Sequence, residues 1–254
     1  MASASARKPL SVAQRFGRKA RDYERHAHLQ RLTAETLAAF VLAQDLPRGP
    51  VVEIGCGTGL LTRLLATGSA PYLATDIAPD MVQACRARTG DIPGVAYAVL
   101  DGQRAHFDQP PALIVSNLAF QWFADPVAGI AALAGQARAL AFSVLLAGSF
   151  PEWRQAFADL GRTPGLIPLP EEEAVLSSLR ALPGLTLRHH TLTHVRRYDS
   201  AKAFVHSFRG IGADHPRPGY RPGPIRPVLQ RFAQGMDATS RVLYCVAQHD
   251  EREG

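Results

Sequence analysis

Glycines at positions 55, 57 and 59, set directly behind a short apolar run, constrain this chain more than any other feature. The run Val51 to Ile54 has the length and character of a buried strand. The segment Glu53-Ile54-Gly55-Cys56-Gly57-Thr58-Gly59 leads from it into a helix-like stretch, Thr58 to Ala66. Without a Cβ, the backbone at a glycine can turn tightly and come close to a bound molecule. A helix opening behind such a turn points free N–H groups at the same place. Strand, glycine turn and helix together predict a ligand-binding edge on an α/β sheet.

The alternation continues along the chain. Pro71 to Thr75, Val95 to Leu100, Ala112 to Ser116 and Leu140 to Leu146 read as further buried strands. Helix-like stretches fall near Pro79 to Ala87 and Pro126 to Ala137. Strands alternating with helices favour a parallel sheet covered on both faces. Ahead of the sheet, Val12 to Leu46 reads as helical, with Leu29, Leu32, Thr36, Leu37, Phe40 and Val41 at helical spacing. In the second half, Phe150 to Leu160, Glu171 to Leu182 and Ser200 to Phe208 read as helices, and Leu185 to Val195 and Val242 to Ala247 as strands. His215 to Pro227 holds five prolines with Arg217, Arg221 and Arg226. Proline removes a backbone donor, so this segment is expected to be an exposed loop rather than a helix.

With 254 residues the chain suits one large domain. Its longest apolar stretch, Ala139 to Ala147, is short of the ~20 residues a bilayer requires. The N-terminus lacks the basic start and apolar core of a secretory signal. Cys56, Cys85 and Cys245 are scattered, which offers no disulfide framework or metal-ligand spacing and fits a reducing cytoplasm. The net charge of +6 comes mostly from arginine, with lysine only at Lys8, Lys19 and Lys202. Residues 1–21 hold six basic residues and no acid. They read as a solvated tail, a transit segment, or attraction for an acidic partner. A pI near 9.6 raises nucleic-acid binding, but the arginines are dispersed and no helix-turn-helix, zinc-finger or RNA-binding signature is present. His189, His190 and His194 lie on a strand without neighbouring acids, which favours structural or exposed histidines over metal ligands. Cys56 suits a small filler of the glycine turn.

A dinucleotide fingerprint of the form G-x-G-x-x-G would need glycine at position 60, where Leu60 stands. The G-x-G-x-G spacing led by Glu53 resembles instead the first motif of the Rossmann-like, S-adenosylmethionine-dependent methyltransferases. Asp76 ends the second strand, where a carboxylate can accept both ribose hydroxyls. Asp101 and Gly102 end the third, where methyltransferases of this type place a residue against the adenine. The fourth strand ends in Ser116-Asn117-Leu118-Ala119-Phe120-Gln121-Trp122, which resembles the signature of the malonyl-acyl-carrier-protein O-methyltransferases of biotin synthesis. The likeness extends to Phe16, Tyr23, His26, Ala27 and Gln30, to Gly148-Ser149-Phe150-Pro151-Glu152, and to Arg209-Gly210-Ile211-Gly212-Ala213. Matches run in order over roughly residues 12–247. Three departures stand out: Ala134 to Leu140 lacks a Pro-Gly-Gly turn, Asp214 replaces a more usual threonine or asparagine, and residues 215–227 look unlike the better-known members.

The resemblance implies a single α/β domain over residues 1–254, with a Rossmann-like, seven-stranded, mostly parallel sheet. Residues 1–46 would form a basic tail and covering helices, 50–147 the cofactor core, and 198–240 a late helical insertion or lid. It implies S-adenosylmethionine as methyl donor, S-adenosylhomocysteine as product, no metal, and a malonyl thioester on acyl carrier protein as substrate. Neither nucleic acid nor membrane is implied as a partner. Glu53, Gly55, Gly57, Gly59, Asp76, Asp101, Gly102 and Asn117 would hold the cofactor. Tyr23, Asn117 and Gln121 would surround the transferred methyl, with Trp122 walling the pocket or packing the core. Arg209, Arg217, Arg221 and Arg226 would meet the carrier or remain solvated. A carboxylate, with a reference pKa near ~4, is already ionised at neutral pH, so the reaction requires no general base. Alignment and exclusion of water would provide most of the catalysis. Methylation of another carboxylate or small metabolite is the alternative within enzymes. A non-catalytic binding module is the alternative outside them.

Overall fold

The structure, a computed structural model, describes residues 12–17, 23–213, 219–220 and 223–250. Arg217, Arg221 and Asp214 therefore lie outside the described residues, as does most of the basic tail. Helices α1 (Val12–Gly17), α2 (Tyr23–His26) and α3 (His28–Leu42) precede the sheet. Thr33, Ala34, Leu37, Ala38 and Val41 form the buried stripe of α3, while Leu29 and Phe40 pack against it only partly buried.

Alternation then follows the apolar runs. Strand β1 (Val51–Ile54) leads to α4 (Thr62–Leu65), β2 (Tyr72–Asp76), α5 (Pro79–Thr89), β3 (Val95–Val99) and β4 (Leu113–Asn117). Next come α6 (Pro126–Ala134), β5 (Ala139–Leu145), α7 (Pro151–Ala158), α8 (Glu172–Arg180) and β6 (Leu185–Tyr198). Helices α9 (Ala201–Gly210) and α10 (Arg226–Arg231) precede the last strand, β7 (Met236–His249). The sheet has seven strands in the order β3-β2-β1-β4-β5-β7-β6. Strands β1 to β5 run parallel, and β7 is antiparallel to both β5 and β6.

Central strands covered on both faces need apolar side chains on both. In β4, Leu113 and Val115 join the layer beneath α3 and α5, while Ile114 joins the layer beneath α6 and α8. A third cluster of Phe150, Trp153, Phe157, Phe204 and Val228 ties α7, α9 and α10 to the start of β7. Among the described residues no helix is long and apolar enough to cross a membrane.

Several elements differ from the sequence reading. The helix expected from Thr58 begins only at Thr62, because Gly57 and Gly59 take positive φ and hold the chain in turns. Helix α10 starts inside the stretch expected to be loop, and Arg226 is its first residue. Pro227 is tolerated there because a first-turn residue has no intrahelical N–H bond to lose. Strand β7 begins six residues before Val242, with Met236, Ala238 and Ser240 buried in alternation. The segment between β6 and β7 is thus 199–235, narrower than 198–240.

Candidate active site

In open α/β sheets ligands bind beyond the carboxyl ends of the strands where the strand order reverses. Here that point lies between β1 and β4, and a cavity of about 230 Å³ opens there. Gly55, Gly57, Asp76, Asp101, Gly102 and Asn117 all line it, as do Phe16, Tyr23 and Trp122. A Cβ on Gly57 would meet nothing within 4 Å, so the space above it is free for a ligand. Gly102 is required for a different reason: a Cβ there would lie 2.4 Å from Ile54 Cγ2.

Asp76 sits at the mouth of this loop. Its Oδ2 accepts from the Gly57 N–H at 3.0 Å and its Oδ1 from the Ala78 N–H at 2.8 Å. Burial raises its pKa, and these two amides oppose the rise. Each carboxylate oxygen has a further lone pair for a ligand hydroxyl. Asp101 caps the short helix Gly102–Arg104 by accepting from the Gln103 N–H at 3.1 Å.

Two expected ligand residues stand apart from the cavity wall. Glu53 is 1% exposed and lies beneath the loop, where Thr62 Oγ1 donates to it at 2.5 Å and the Tyr72 hydroxyl at 2.8 Å. Burial pushes its carboxyl up to about 8, and those two donors only moderate the rise. Gly59 faces α5, where a Cβ would meet Thr89 Cγ2 at 3.0 Å and Cys85 Sγ at 3.1 Å. Both residues brace the loop from behind. Cys56 is likewise buried, and its hydrogen bond with Cys85 together with burial pushes its thiol well up, as suits an inert filler.

The N-terminal helices close over the cavity through contacts that spacing alone does not reveal. Glu24 of α2 accepts from Thr58 Oγ1 at 3.1 Å and pairs with Arg63 and Arg88 at 3.3 and 3.2 Å. Asn117 donates through Nδ2 to the Gln30 carbonyl at 2.9 Å and accepts from Ser143 Oγ at 2.7 Å. Its amide thus holds α3 to β4 and β5 while its side chain lines the cavity. Trp122 both walls the cavity and packs edge-on against Phe16, with ring centroids 5.2 Å apart.

A second, smaller cavity of about 100 Å³ adjoins the first. Tyr23, Leu118 and Trp122 line both, and polar side chains of His26, His194, Arg196 and Ser207 line the second. Burial, reinforced by the charges of Asp76 and Glu24, pushes the Tyr23 phenol up and keeps it protonated. Gln121 is absent from the first cavity and lines the second together with a third, apolar chamber. Arg209 lines that chamber, while Arg226 stands exposed at the start of α10. His190 stacks on Tyr244 at 5.1 Å and His194 Nε2 lies 2.9 Å from the Tyr244 hydroxyl, so both serve packing along β6 and β7.

Backbone strain marks the same place. Leu118 and Phe150, behind β4 and β5, are the non-glycine residues with positive φ among those described, at 49° and 58°. Both line the cavities. Such strain concentrates at functional sites, and no composition or spacing signal announces it.

A mostly parallel sheet with this strand order, a glycine turn beneath a nucleoside-sized cavity and an acid at the end of β2 define a class I, S-adenosylmethionine-dependent methyltransferase. A family model described as a methyltransferase domain matches residues 51–141. The magnesium protoporphyrin IX methyltransferase of Synechocystis PCC 6803, solved with bound S-adenosylhomocysteine, shares the fold at 16% identity and a TM-score of 0.56, covering 95% of this chain and 90% of that one. Among curated proteins, the biotin biosynthesis bifunctional protein BioCD of Bordetella avium is 42% identical over 92% of this chain. The chain spans 51% of that longer protein. A malonyl-acyl-carrier-protein O-methyltransferase of Magnetococcus marinus is 34% identical over 92% of this chain and 90% of its own length. The chain belongs to the malonyl-acyl-carrier-protein O-methyltransferase family.

Proposed function

We propose that this chain methylates the free carboxylate of a malonyl thioester carried on acyl carrier protein, the first committed step of pimeloyl assembly for biotin. The observation that carries this reading is that Tyr23, Leu118 and Trp122 are common to the cofactor cavity and to a smaller, largely apolar one that His26, His194, Arg196 and Ser207 also line. A reacting carboxylate in the small cavity would face the cofactor across the shared residues. When bound, S-adenosylmethionine supplies a methyl on a positively charged sulfonium, and an ionised carboxylate attacks it without a base.

The chain's own residues then have three tasks. Asp76 would accept the ribose hydroxyls, and Asp101 and Gly102 would flank the adenine, with Gly57 leaving room for the nucleoside. The neutral Tyr23 phenol, with His26 and Arg196, would orient the carboxylate by donated hydrogen bonds. Helices α1 to α3, held by Glu24 and Asn117, would keep water from the reacting atoms. Esterification would remove the charge at the distal end, so that the chain passes for an ordinary apolar acyl group.

Mass spectrometry of malonyl-carrier protein after incubation with the chain and S-adenosylmethionine tests the assignment. One added methyl, lost on mild ester hydrolysis, is the expected result. Transfer to free malonate or other small acids as efficient as transfer to the thioester would overturn it.

A further inference from the structure

Helix α2 is a single turn, Tyr23–His26, and a helix this short does not hold by itself. Its place is set by what its side chains grip. Glu24 brings one carboxylate oxygen, Oε1, to three separate elements. It accepts there from Thr58 Oγ1 of the glycine turn at 3.1 Å, and pairs with Arg63 of α4 at 3.3 Å and Arg88 of α5 at 3.2 Å. The Glu24 carbonyl accepts in addition from Arg31 of α3 at 3.3 Å. Thr58 is buried and directly follows Gly57, the glycine that faces the cofactor cavity. The carboxylate thus ends on the part of the loop that a bound nucleoside would touch.

The other residues of the turn depend on that anchorage. Tyr23, next to Glu24 in the chain, is buried and lines both the cofactor cavity and the second cavity. His26 packs on α9: a Cβ on Gly210 would lie 2.3 Å from its ring, which also meets the ring of His206 edge-on at 5.1 Å. One turn of helix is therefore fastened to the cofactor loop through Glu24 and to α9 through His26, and Tyr23 rides on it. Glu24 itself is not among the residues that line either cavity, so it acts through Tyr23 rather than on a ligand.

We infer that Glu24 is a positioning residue: through Thr58, Arg63 and Arg88 it ties the cofactor loop to the turn that carries Tyr23, so that an occupied cofactor cavity holds the phenol in place over the second one. The inference rests on the methyl-transfer reading above for the role of the phenol. The ion pairs are part-exposed and add little to stability singly, so Glu24→Gln, which keeps the shape and the acceptor for Thr58, should fold.

Hydrogen–deuterium exchange reads the tie without turnover. Saturating S-adenosylhomocysteine should slow exchange over residues 23–30 about tenfold in the wild type, and at least threefold less than that in Glu24→Gln and in Arg88→Met. Protection equal to that of the wild type in both variants overturns the inference.

Turnover gives the second readout. With a malonyl thioester as substrate, Glu24→Gln should lower kcat about tenfold and leave KM for S-adenosylmethionine near the wild-type value. In a Tyr23→Phe background the same substitution should change kcat less than about twofold, because the group that Glu24 places is already gone. Multiplicative losses in the double variant also overturn the inference, since a merely structural Glu24 would cost as much with the phenol as without it. Lost protection in Glu24→Gln, in a chain that methylates no malonyl thioester, leaves the tie standing and removes the functional reading. Methylation with protection unchanged in Glu24→Gln does the reverse.

Discussion

Alanine at each of the three loop glycines separates three requirements that the G-x-G-x-G spacing fuses. Gly55, Gly57 and Gly59 have φ of 76°, 54° and 89°. A side chain in that region costs ~1–2 kcal/mol before any contact is counted. At Gly57 nothing further is added, since no atom lies within 4 Å of the new Cβ. At Gly59 the methyl presses on Thr89 and Cys85 at 3.0 and 3.1 Å, and at Gly55 on the Ala119 Cβ at 2.4 Å. Overpacking of this kind adds ~1–3 kcal/mol. At ~2–4 °C per kcal/mol, Gly57→Ala should lower Tm by ~2–8 °C and the other two by ~4–20 °C. Binding should follow a different order. The Gly57 methyl enters the cofactor cavity, so S-adenosylhomocysteine affinity should fall at least ~10-fold, or ~1.4 kcal/mol. Gly59→Ala, whose methyl points to α5, should keep affinity near the wild-type value. Differential scanning fluorimetry and isothermal titration calorimetry measure the two axes independently. Wild-type affinity in Gly57→Ala, or lost affinity with an unchanged Tm in Gly59→Ala, would refute the assignment of these glycines.

The other expectations are more compact. Asp76→Ala removes a charged acceptor worth ~1.5–3 kcal/mol, so calorimetry should show S-adenosylhomocysteine binding weakened by ~10–150-fold; unchanged affinity in a folded variant contradicts the ribose assignment. Glu53 is pushed up to about 8 in the folded chain, against ~4.3 for an unfolded glutamate. The folded state therefore keeps a proton that the unfolded chain has lost, and stability falls as pH rises through that window by up to ~1.4 kcal/mol per unit. Glu53→Gln should flatten the decline of Tm between about pH 5 and about pH 8; parallel curves for the two proteins would refute it. Tyr23→Phe should lower turnover while leaving S-adenosylhomocysteine affinity in place, and wild-type turnover would make the phenol oxygen dispensable.

Strands β1 to β5 were legible because each is a short apolar run bounded by turn residues, a signal contained within its own segment. The glycine turn, Asp76 and Asp101 were legible for the same reason: strand-end position follows directly from where the runs stop. What escaped depends on contacts distant in sequence. Glu53 leads the motif like a ligand, yet Thr62 and Tyr72 draw it beneath the loop. The polar first half of β7 gains its strand character from pairing Met236–Arg241 with β6, which no local pattern of Asp237, Thr239 and Ser240 discloses. Glu24 bridges to Thr58, Arg63 and Arg88 only because the fold brings α2 over the loop.

The left-handed residues Leu118 and Phe150 show how the sheet itself shapes the site. Each follows one of two neighbouring parallel strands; Leu118 lines the first and second cavities, and Phe150 the second and third. Positive φ at such residues costs ~1–2 kcal/mol each and persists only where surrounding bonds fix the backbone. Those bonds are present: the Leu118 N–H reaches both Ser143 O at 3.0 Å and Ser143 Oγ at 3.1 Å, and the Phe150 N–H reaches Thr239 O at 2.6 Å. Ser143 Oγ also donates to Asn117, so the residue that holds α3 in place is coupled to the strained turn beside it. The strain thus lies in the turns behind β4 and β5, bonded back to β5 and β7, rather than in the covering helices α1 to α3. A reaction that needs no base depends on alignment, and alignment is best held by elements that do not move.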